Sequence, residues 1–369
     1  MVMVPRGLLA ATVSVLLLAS PAWAAENVAV APEKNTGLAA SALITAPLLS
    51  DNRDYSEYWE QQFLFDNKTL ATSQFLIANL PFSKHHGMQV ATLKQPRKDA
   101  VVIKNGRKRS GWNFSASEPM LTIFQHKLSG GTPDFSLQLH NTAAELDVSF
   151  AAPAGALPVV AAGNKLGLPQ ITLYAPTARA EARWRGGPEI GGPGPDGPWH
   201  EIGAGFGYGL HVVQQKVPNT VLSRWWRFTG APSKAAVNPV LHAFETPKGK
   251  RYYALYLLAD DGTSIRFDVN EFKAEDNREW QLKAKADGKT LAGSITLSDK
   301  LETFNLKDQL NALEALAAGS VADVTRLRYA AVYKFELVEN STKTTLEGTA
   351  LAEDILMGEI KEKRRRKRR

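Results

Sequence analysis

From Asp51 onward, apolar and polar positions alternate with a period of two. Phe135, Leu137 and Leu139 are separated by Ser136 and Gln138. Leu146, Val148 and Phe150 are separated by Asp147 and Ser149, and Tyr333, Phe335 and Leu337 repeat the pattern. Successive side chains of a strand point to opposite faces, so each run predicts a half-buried strand on a core. Two hairpins are marked by their turns. Tyr252–Ala259 runs into Asp260-Asp261-Gly262 and returns through Ile265, Phe267 and Val269. Trp280 and Leu282 lead to Asp287-Gly288, and Leu291, Ile295 and Leu297 come back. One segment has helical spacing: Leu306, Leu310, Leu313 and Leu316, stopped by Gly319. Many strands and one helix predict an all-β chain of antiparallel sandwiches or barrels. A doubly wound α/β fold would need many more helices.

At 369 residues the chain is long for one domain and suits two. Its N-terminus reads as an export signal: Arg6, an apolar run from Gly7 to Ala19, then Ala22-Trp23-Ala24, with cleavage expected before Ala25. The run is short for a membrane span. No cysteine occurs, which excludes disulfides, a thiolate metal site, a cysteine nucleophile and a lipidated cysteine. Residues 25–50 are Ala-rich and Pro-punctuated and read as a flexible lead.

The net charge of +7 comes from 44 basic and 37 acidic residues. Lys361–Arg369 holds eight bases and one acid. Setting these and Arg6 aside leaves 35 bases and 36 acids, so the body is near neutral. The basic tail reads as an interaction segment. Export argues against nucleic acid as its partner. An anionic membrane surface in the bacterial periplasm and a solvated tail without a fixed partner are the two readings.

The densest chemistry follows a breaker-rich loop at Gly186–Trp199. Gly203, Gly205, Gly207 and Gly209 alternate with Ala204, Phe206 and Tyr208. A phosphate-binding glycine loop would lead into a helix, but the β-rich Leu210-His211-Val212-Val213 follows. The pattern predicts a strand stripped of side chains on one face, where a backbone or ligand approaches closely. Beyond it, Pro218 turns the chain and Arg224-Trp225-Trp226-Arg227 opens a new strand. Trp225 and Arg227 share one face, Arg224 and Trp226 the other. Tryptophan beside Arg, His and Gln suits an apolar cavity with a few polar anchors, and equally a packed inter-domain seam. The seven histidines show no metal-ligand spacing, and no serine nucleophile motif is present, so no metal and no cofactor are expected.

The stretch Gly205–Phe228 resembles the lipocalin-like superfamily of survival-factor proteins and carotenoid hydratases (hydroxyneurosporene synthase and AttH type). The residues that carry it are Gly205, Gly207, Tyr208, His211, Gln214, Pro218, Arg224, Trp225 and Phe228. Tyr58-Trp59 with Phe63-Leu64-Phe65 is similar to the opening strand of that superfamily, and Gly348-Thr349-Ala350 with Glu353 to the closing one. The resemblance implies two tandem calycin-type barrels meeting near Pro218, over 51–218 and 219–358, after a signal at 1–24 and before a tail at 359–369. It implies a hydrophobic ligand, a ceramide-like sphingolipid or a terpenoid. Hydratase relatives carry an acid beside the motif histidine, where this chain has Gly209 and Leu210. The first expectation is therefore an exported lipid-binding or lipid-transfer protein, with Tyr208, His211, Gln214, Arg224 and Trp225 on the ligand. The alternative is a cofactor-free hydratase, isomerase or cyclase acting on a terpenoid, with His211 and Glu353 as acid and base. A third reading is an envelope interaction protein whose barrels are packed solid.

Overall fold

The computed structural model describes residues 44–358, except 81–82, 108–110, 153–154, 165–166, 189–191, 193, 233–236, 275–277, 306–307 and 309–323. The expected helix over Leu306–Leu316, the export signal and the basic tail lie outside the described residues. The described helix is one turn, α1 (Pro218–Val221), with proline at its start. The rest is antiparallel sheet, as the period of two predicts.

The first sheet has twelve strands: β1 (Ser56–Phe65), β2 (Leu70–Leu80), β3 (Ser83–Lys94), β4 (Val101–Arg107), β5 (Trp112–Ser115), β6 (Met120–Ile123), β7 (His126–Gly131), β8 (Asp134–His140), β9 (Ala144–Ala151), β10 (Leu157–Val160), β11 (Gln170–Gly186) and β12 (His200–Gln214). Its order is β4-β3-β2-β1-β12-β11-β9-β8-β7-β6-β5, with β10 on β11. The sheet curls into a half-barrel. Near its ends, the Trp112 indole N–H on β5 donates to the His85 carbonyl on β3 at 2.7 Å. The second unit is a closed barrel of β13 (Arg224–Gly230), β14 (Val237–Glu245), β15 (Arg251–Ala259), β16 (Ser264–Ala274), β17 (Glu279–Ala286), β18 (Lys289–Asn305), β19 (Val324–Glu339) and β20 (Thr342–Met357).

Both expected hairpins form. Gly262 closes the β15–β16 turn at a φ of 85°, and Gly288 the two-residue β17–β18 turn at 66°. Glycine takes this left-handed region at no steric cost. A third hairpin joins β19 to β20 through Asn340-Ser341, at φ of 47° and 66°.

Three apolar cores result. One lines the half-barrel, around Trp59, Phe63, Phe75, Phe135 and Phe150. One fills the closed barrel, around Trp226, Phe228, Phe267 and Phe335. The third is the seam where the outer faces of the two units meet, with Tyr208 and Leu210 against Trp225, Phe244 and Ile355. There the Tyr256 hydroxyl donates to the Pro158 carbonyl at 2.6 Å. Strand β1 lies between two of these cores, and all ten of its residues are buried. Most strands of the fold show one face to water. This one shows none, yet it carries Glu57, Glu60, Gln61 and Gln62.

The glycine strip of β12 has a direct explanation. A side chain at Gly205 or Gly207 would strike the backbone of β1 and the rings of Phe65 and Phe63. One at Gly209 would strike the Tyr174 ring. The bare face of the strand is thus covered by aromatic rings from its neighbours.

Candidate functional site

The polar residues of β1 and β12 divide by parity into two buried groups. On the face lining the half-barrel, Trp59 pairs with His211 across the strands. Their rings stack at 4.6 Å and 9°. Glu57, one diagonal away, places Oε1 2.7 Å from His211 Nε2. Its Oε2 accepts the Leu48 amide N–H at 2.8 Å and the Tyr55 hydroxyl. Burial, reinforced by Glu57, raises the Tyr55 hydroxyl well above the ordinary phenol range, so it stays protonated as the donor. The Thr45 hydroxyl lies 3.2 Å from His211 Nδ1.

Residues 44–50, within the stretch read as a flexible lead, close this end of the half-barrel. Ile44 is buried in its core, and Leu48 and Leu49 supply backbone N–H groups to Glu57 and Tyr55. The arrangement is a histidine oriented by a carboxylate that is itself oriented by a phenol and an amide, the geometry of a general acid–base pair. With Glu57 ionised, Nε2 keeps its proton in both states of the ring. The proton that moves is then the one on Nδ1.

In the row of His211 and in the next row along the same face lie polar atoms without protein partners. The register puts Trp59, Phe75 and Gln89 in one row across β1, β2 and β3, and Gln61 and Ser73 in the next. Trp59 Nε1, Gln61 Oε1, Ser73 Oγ and both amide atoms of Gln89 are buried without a hydrogen bond. The other amide atom of Gln61 donates to the Tyr174 hydroxyl at 2.8 Å. Buried polar groups normally find partners, so a cluster of exceptions on one face is informative.

The opposite face of β1 meets the barrel wall. There the register aligns His242, Arg227, Glu353, Arg328 and Glu302 in one row across β14, β13, β20, β19 and β18. Arg227 pairs with Glu353 and Arg328 pairs with Glu302; Arg328 Nε donates to Glu353 at 2.9 Å. From β1, Glu60 reaches Arg227 at 2.8 Å and Arg326 at 2.7 Å. Gln62 donates to Glu60 at 2.6 Å and to Glu353 at 3.1 Å. Burial pushes the Glu60 carboxyl up, but Arg227, Arg326 and Arg328 overcome this and hold it well below the carboxylate range. Burial, with Arg227 adding to it, pulls His242 down to about 3. Its Nδ1 accepts the Trp225 indole N–H at 3.2 Å. Three glutamates and three arginines thus neutralise one another.

Two cavities lie at this seam. One of about 300 Å³ is bounded by Thr92, Lys94 and Val102 on the half-barrel and by Lys300, Glu302 and Phe304 on the barrel. The other, about 40 Å³, touches Tyr58, Gln214, Trp225, Arg326 and Ile355.

The residues singled out by sequence fall in three places. Tyr208, Gln214, Trp225 and Glu353 lie in the seam. The Tyr208 hydroxyl has no protein partner, and Arg227 sits 5.7 Å from its ring centre. Gln214 accepts the Ser56 hydroxyl at 2.7 Å. His211 lies on the other face of the sheet, so the structure does not bring it together with Glu353, and the carboxylate that meets it is Glu57. Arg224 lies on the barrel side of β13, fork-paired with Asp354 at 2.8 and 2.5 Å and stacked over Trp226. Tyr55, Glu57, Gln61, Ser73 and Gln89 escape the sequence reading. The one signal for them is the run Glu57 to Gln62, which sets polar groups on both faces of a strand rich in aromatics. Among the described residues, no three His, Asp or Glu side chains converge as a metal ion would need.

No protein-family model matches the chain, and no curated protein matches it in sequence. Its structure is similar to that of CghA with Sch210972, at a TM-score of 0.57 and 7% identity, covering 87% of this chain and 96% of that one. It also aligns with kievitone hydratase from Nectria haematococca (TM-score 0.48, 11% identity, 85% and 94% covered). An AttH-like protein of Nitrosomonas europaea aligns at a TM-score of 0.46 and 9% identity, with 83% and 94% covered. At such identities the likeness is one of fold, and this chain has over most of its length the architecture of CghA, the lipocalin-like fold that the Gly205–Phe228 stretch implies.

Proposed function

We propose that the protein is a hydratase, isomerase or cyclase that works by acid–base chemistry on a mostly apolar, terpenoid-like substrate, with His211 as acid and base and Glu57 as the group that orients it. The observation that carries this reading is the Thr45–His211–Glu57–Tyr55 chain, which runs from an exposed hydroxyl through a partly buried imidazole to a buried carboxylate and phenol. A carrier needs an apolar enclosure and a few anchors. It has no use for an imidazole whose tautomer is set by a carboxylate. The seam network is a poor source of a proton, because Glu60 is held ionised and His242 neutral. CghA, with the same fold, has a crystal structure with Sch210972; this supports a small organic molecule as ligand here.

In a hydration, water adds to one alkene carbon while Nδ1 of the neutral ring takes a proton from it, and the imidazolium then returns that proton to the other carbon. In an isomerisation, the ring instead takes a proton from the adjoining carbon. Both leave the protein unchanged and need no added oxidant or reductant. The test is incubation with a panel of unsaturated isoprenoids in D₂O, followed by mass spectrometry. Deuterium uptake or a gain of one water is expected from the wild type, with a loss of about 10²–10⁴-fold in His211→Ala. Binding without turnover across the panel overturns the proposal in favour of a carrier. The proposal also includes export, supported by Gly7–Ala19 and Ala22-Trp23-Ala24; a mature N-terminus at Ala25 is the expected readout.

A further inference from the structure

The unpartnered atoms on the inner face of β1–β3 say what kind of molecule this half-barrel takes. Leaving a buried donor or acceptor unmade is costly, and five such atoms on four residues is a cost that folding alone does not explain. All four residues, Trp59, Gln61, Ser73 and Gln89, are fully buried. They come from three neighbouring strands and share one face, in two adjacent rows. Their chemistry is specific. Trp59 offers an N–H donor, Gln89 a donor and an acceptor, Ser73 either, and Gln61 an acceptor. None of the four carries a charge.

We infer that these atoms form a subsite for an uncharged oxygen group, a ketone, aldehyde or hydroxyl, so that the molecule bound in the half-barrel is an oxygenated apolar compound and not a plain hydrocarbon. The inference rests on the proposed function for its location beside the His211 relay, and it deepens that reading. An imidazolium is too weak an acid to protonate an isolated alkene readily. Where the alkene is conjugated to a carbonyl, the ring need only take a proton from the water that adds to the far carbon, because the charge then develops on the carbonyl oxygen as an enolate, and the imidazolium returns the proton to the near carbon. N–H and O–H donors fixed in a water-excluded site are the groups that stabilise such an oxygen. Trp59 links the two halves, since its ring stacks on His211 while its indole N–H belongs to the unpartnered set.

The experiment compares two probes of similar size, geranylacetone, which carries a ketone, and β-farnesene, which is a hydrocarbon. Binding of each to the full chain is measured by calorimetry in a His211→Ala background, where no turnover interferes. The ketone should bind at least tenfold more tightly than the hydrocarbon. Gln89→Leu and Ser73→Ala remove unpartnered atoms without adding bulk, so both variants should fold, with Gln89→Leu at least as stable as the parent. Each should weaken ketone binding about tenfold and leave hydrocarbon binding unchanged. Equal affinity for the two probes, or ketone affinity untouched by both substitutions, overturns the inference. Selective ketone binding by a protein that turns over no panel compound would uphold the subsite and sink the proposed catalysis, so the two failures are distinguishable.

Discussion

Trp59 and His211 face each other across the β1–β12 pair with their rings 4.6 Å apart and nearly parallel, although 151 residues separate them in the chain. The stack holds the imidazole plane while Glu57 fixes which nitrogen carries the permanent proton. Orientation and tautomer are thus set by two residues of one strand. Glu57→Gln keeps the shape and removes the anion that stabilises the protonated ring. Turnover should fall about a hundredfold, with the far-UV circular dichroism of the wild type retained. Glu353→Gln, on the other face of the sheet, should leave the rate of the residual folded protein within a few-fold of wild type.

The seam network should matter to stability and little to chemistry. Removing one member of a buried ion pair strands the other charge, a loss of about 3–5 kcal/mol. Arg227→Met leaves both Glu60 and Glu353 short of a partner. Urea unfolding should show a loss in that range. The double variant Arg227→Met with Glu353→Gln should recover part of it, because the stranded charge is removed as well.

Stability should decline on mild acidification through His242. Its folded value of about 3 lies below the ordinary 6.5. Between these limits the unfolded chain takes up a proton that the folded one refuses, so stability falls as pH drops. The slope is about 1.4 kcal/mol per pH unit for one proton. Glu60 adds to the loss once pH falls below its ordinary value of 4.5, because its folded carboxyl is depressed. His242→Gln keeps an acceptor for the Trp225 indole and should flatten the slope between pH 6.5 and 5 by one proton. Urea unfolding at three pH values in that window checks it.

The glycine strip should be intolerant of even one methyl group. At Gly207 an added Cβ would strike the Gln62 carbonyl and the Phe63 ring. Backbone cannot step aside as a side-chain tip can, so Gly207→Ala should cost about 1–3 kcal/mol, read as a lowered melting temperature. Gly203, with open space at its Cβ but a φ of 97°, should lose stability for a different reason, backbone strain.

Much of the fold is written in short-range pattern. The period of two in Phe135–Leu139 and Leu146–Phe150 fixes which side of each strand is buried, and Asp-Gly marks the β17–β18 turn because glycine alone enters the left-handed region freely. The Asn340-Ser341 turn escapes such a reading, since serine carries no strong preference for that conformation. The glycines of β12 announce a bare face, but only the structure shows that Phe63, Phe65 and Tyr174 cover it. Parity within Arg224–Arg227 likewise separates Trp225 from Trp226 before any coordinates are known.

The partners of the functional groups are a different matter. His211 meets Glu57 and not Glu353 because β1 and β12, far apart in sequence, pair in one register, and a shift of a single residue would turn Glu57 to the other face. Glu60 and Gln62 join a row of charges on a barrel wall whose alignment depends on how four further strands are staggered. Alternation along a strand is a local steric property that any stretch of sequence carries within itself. Register between distant strands is set by the packing of whole sheets against each other, and that is where this protein decides which acid faces its histidine.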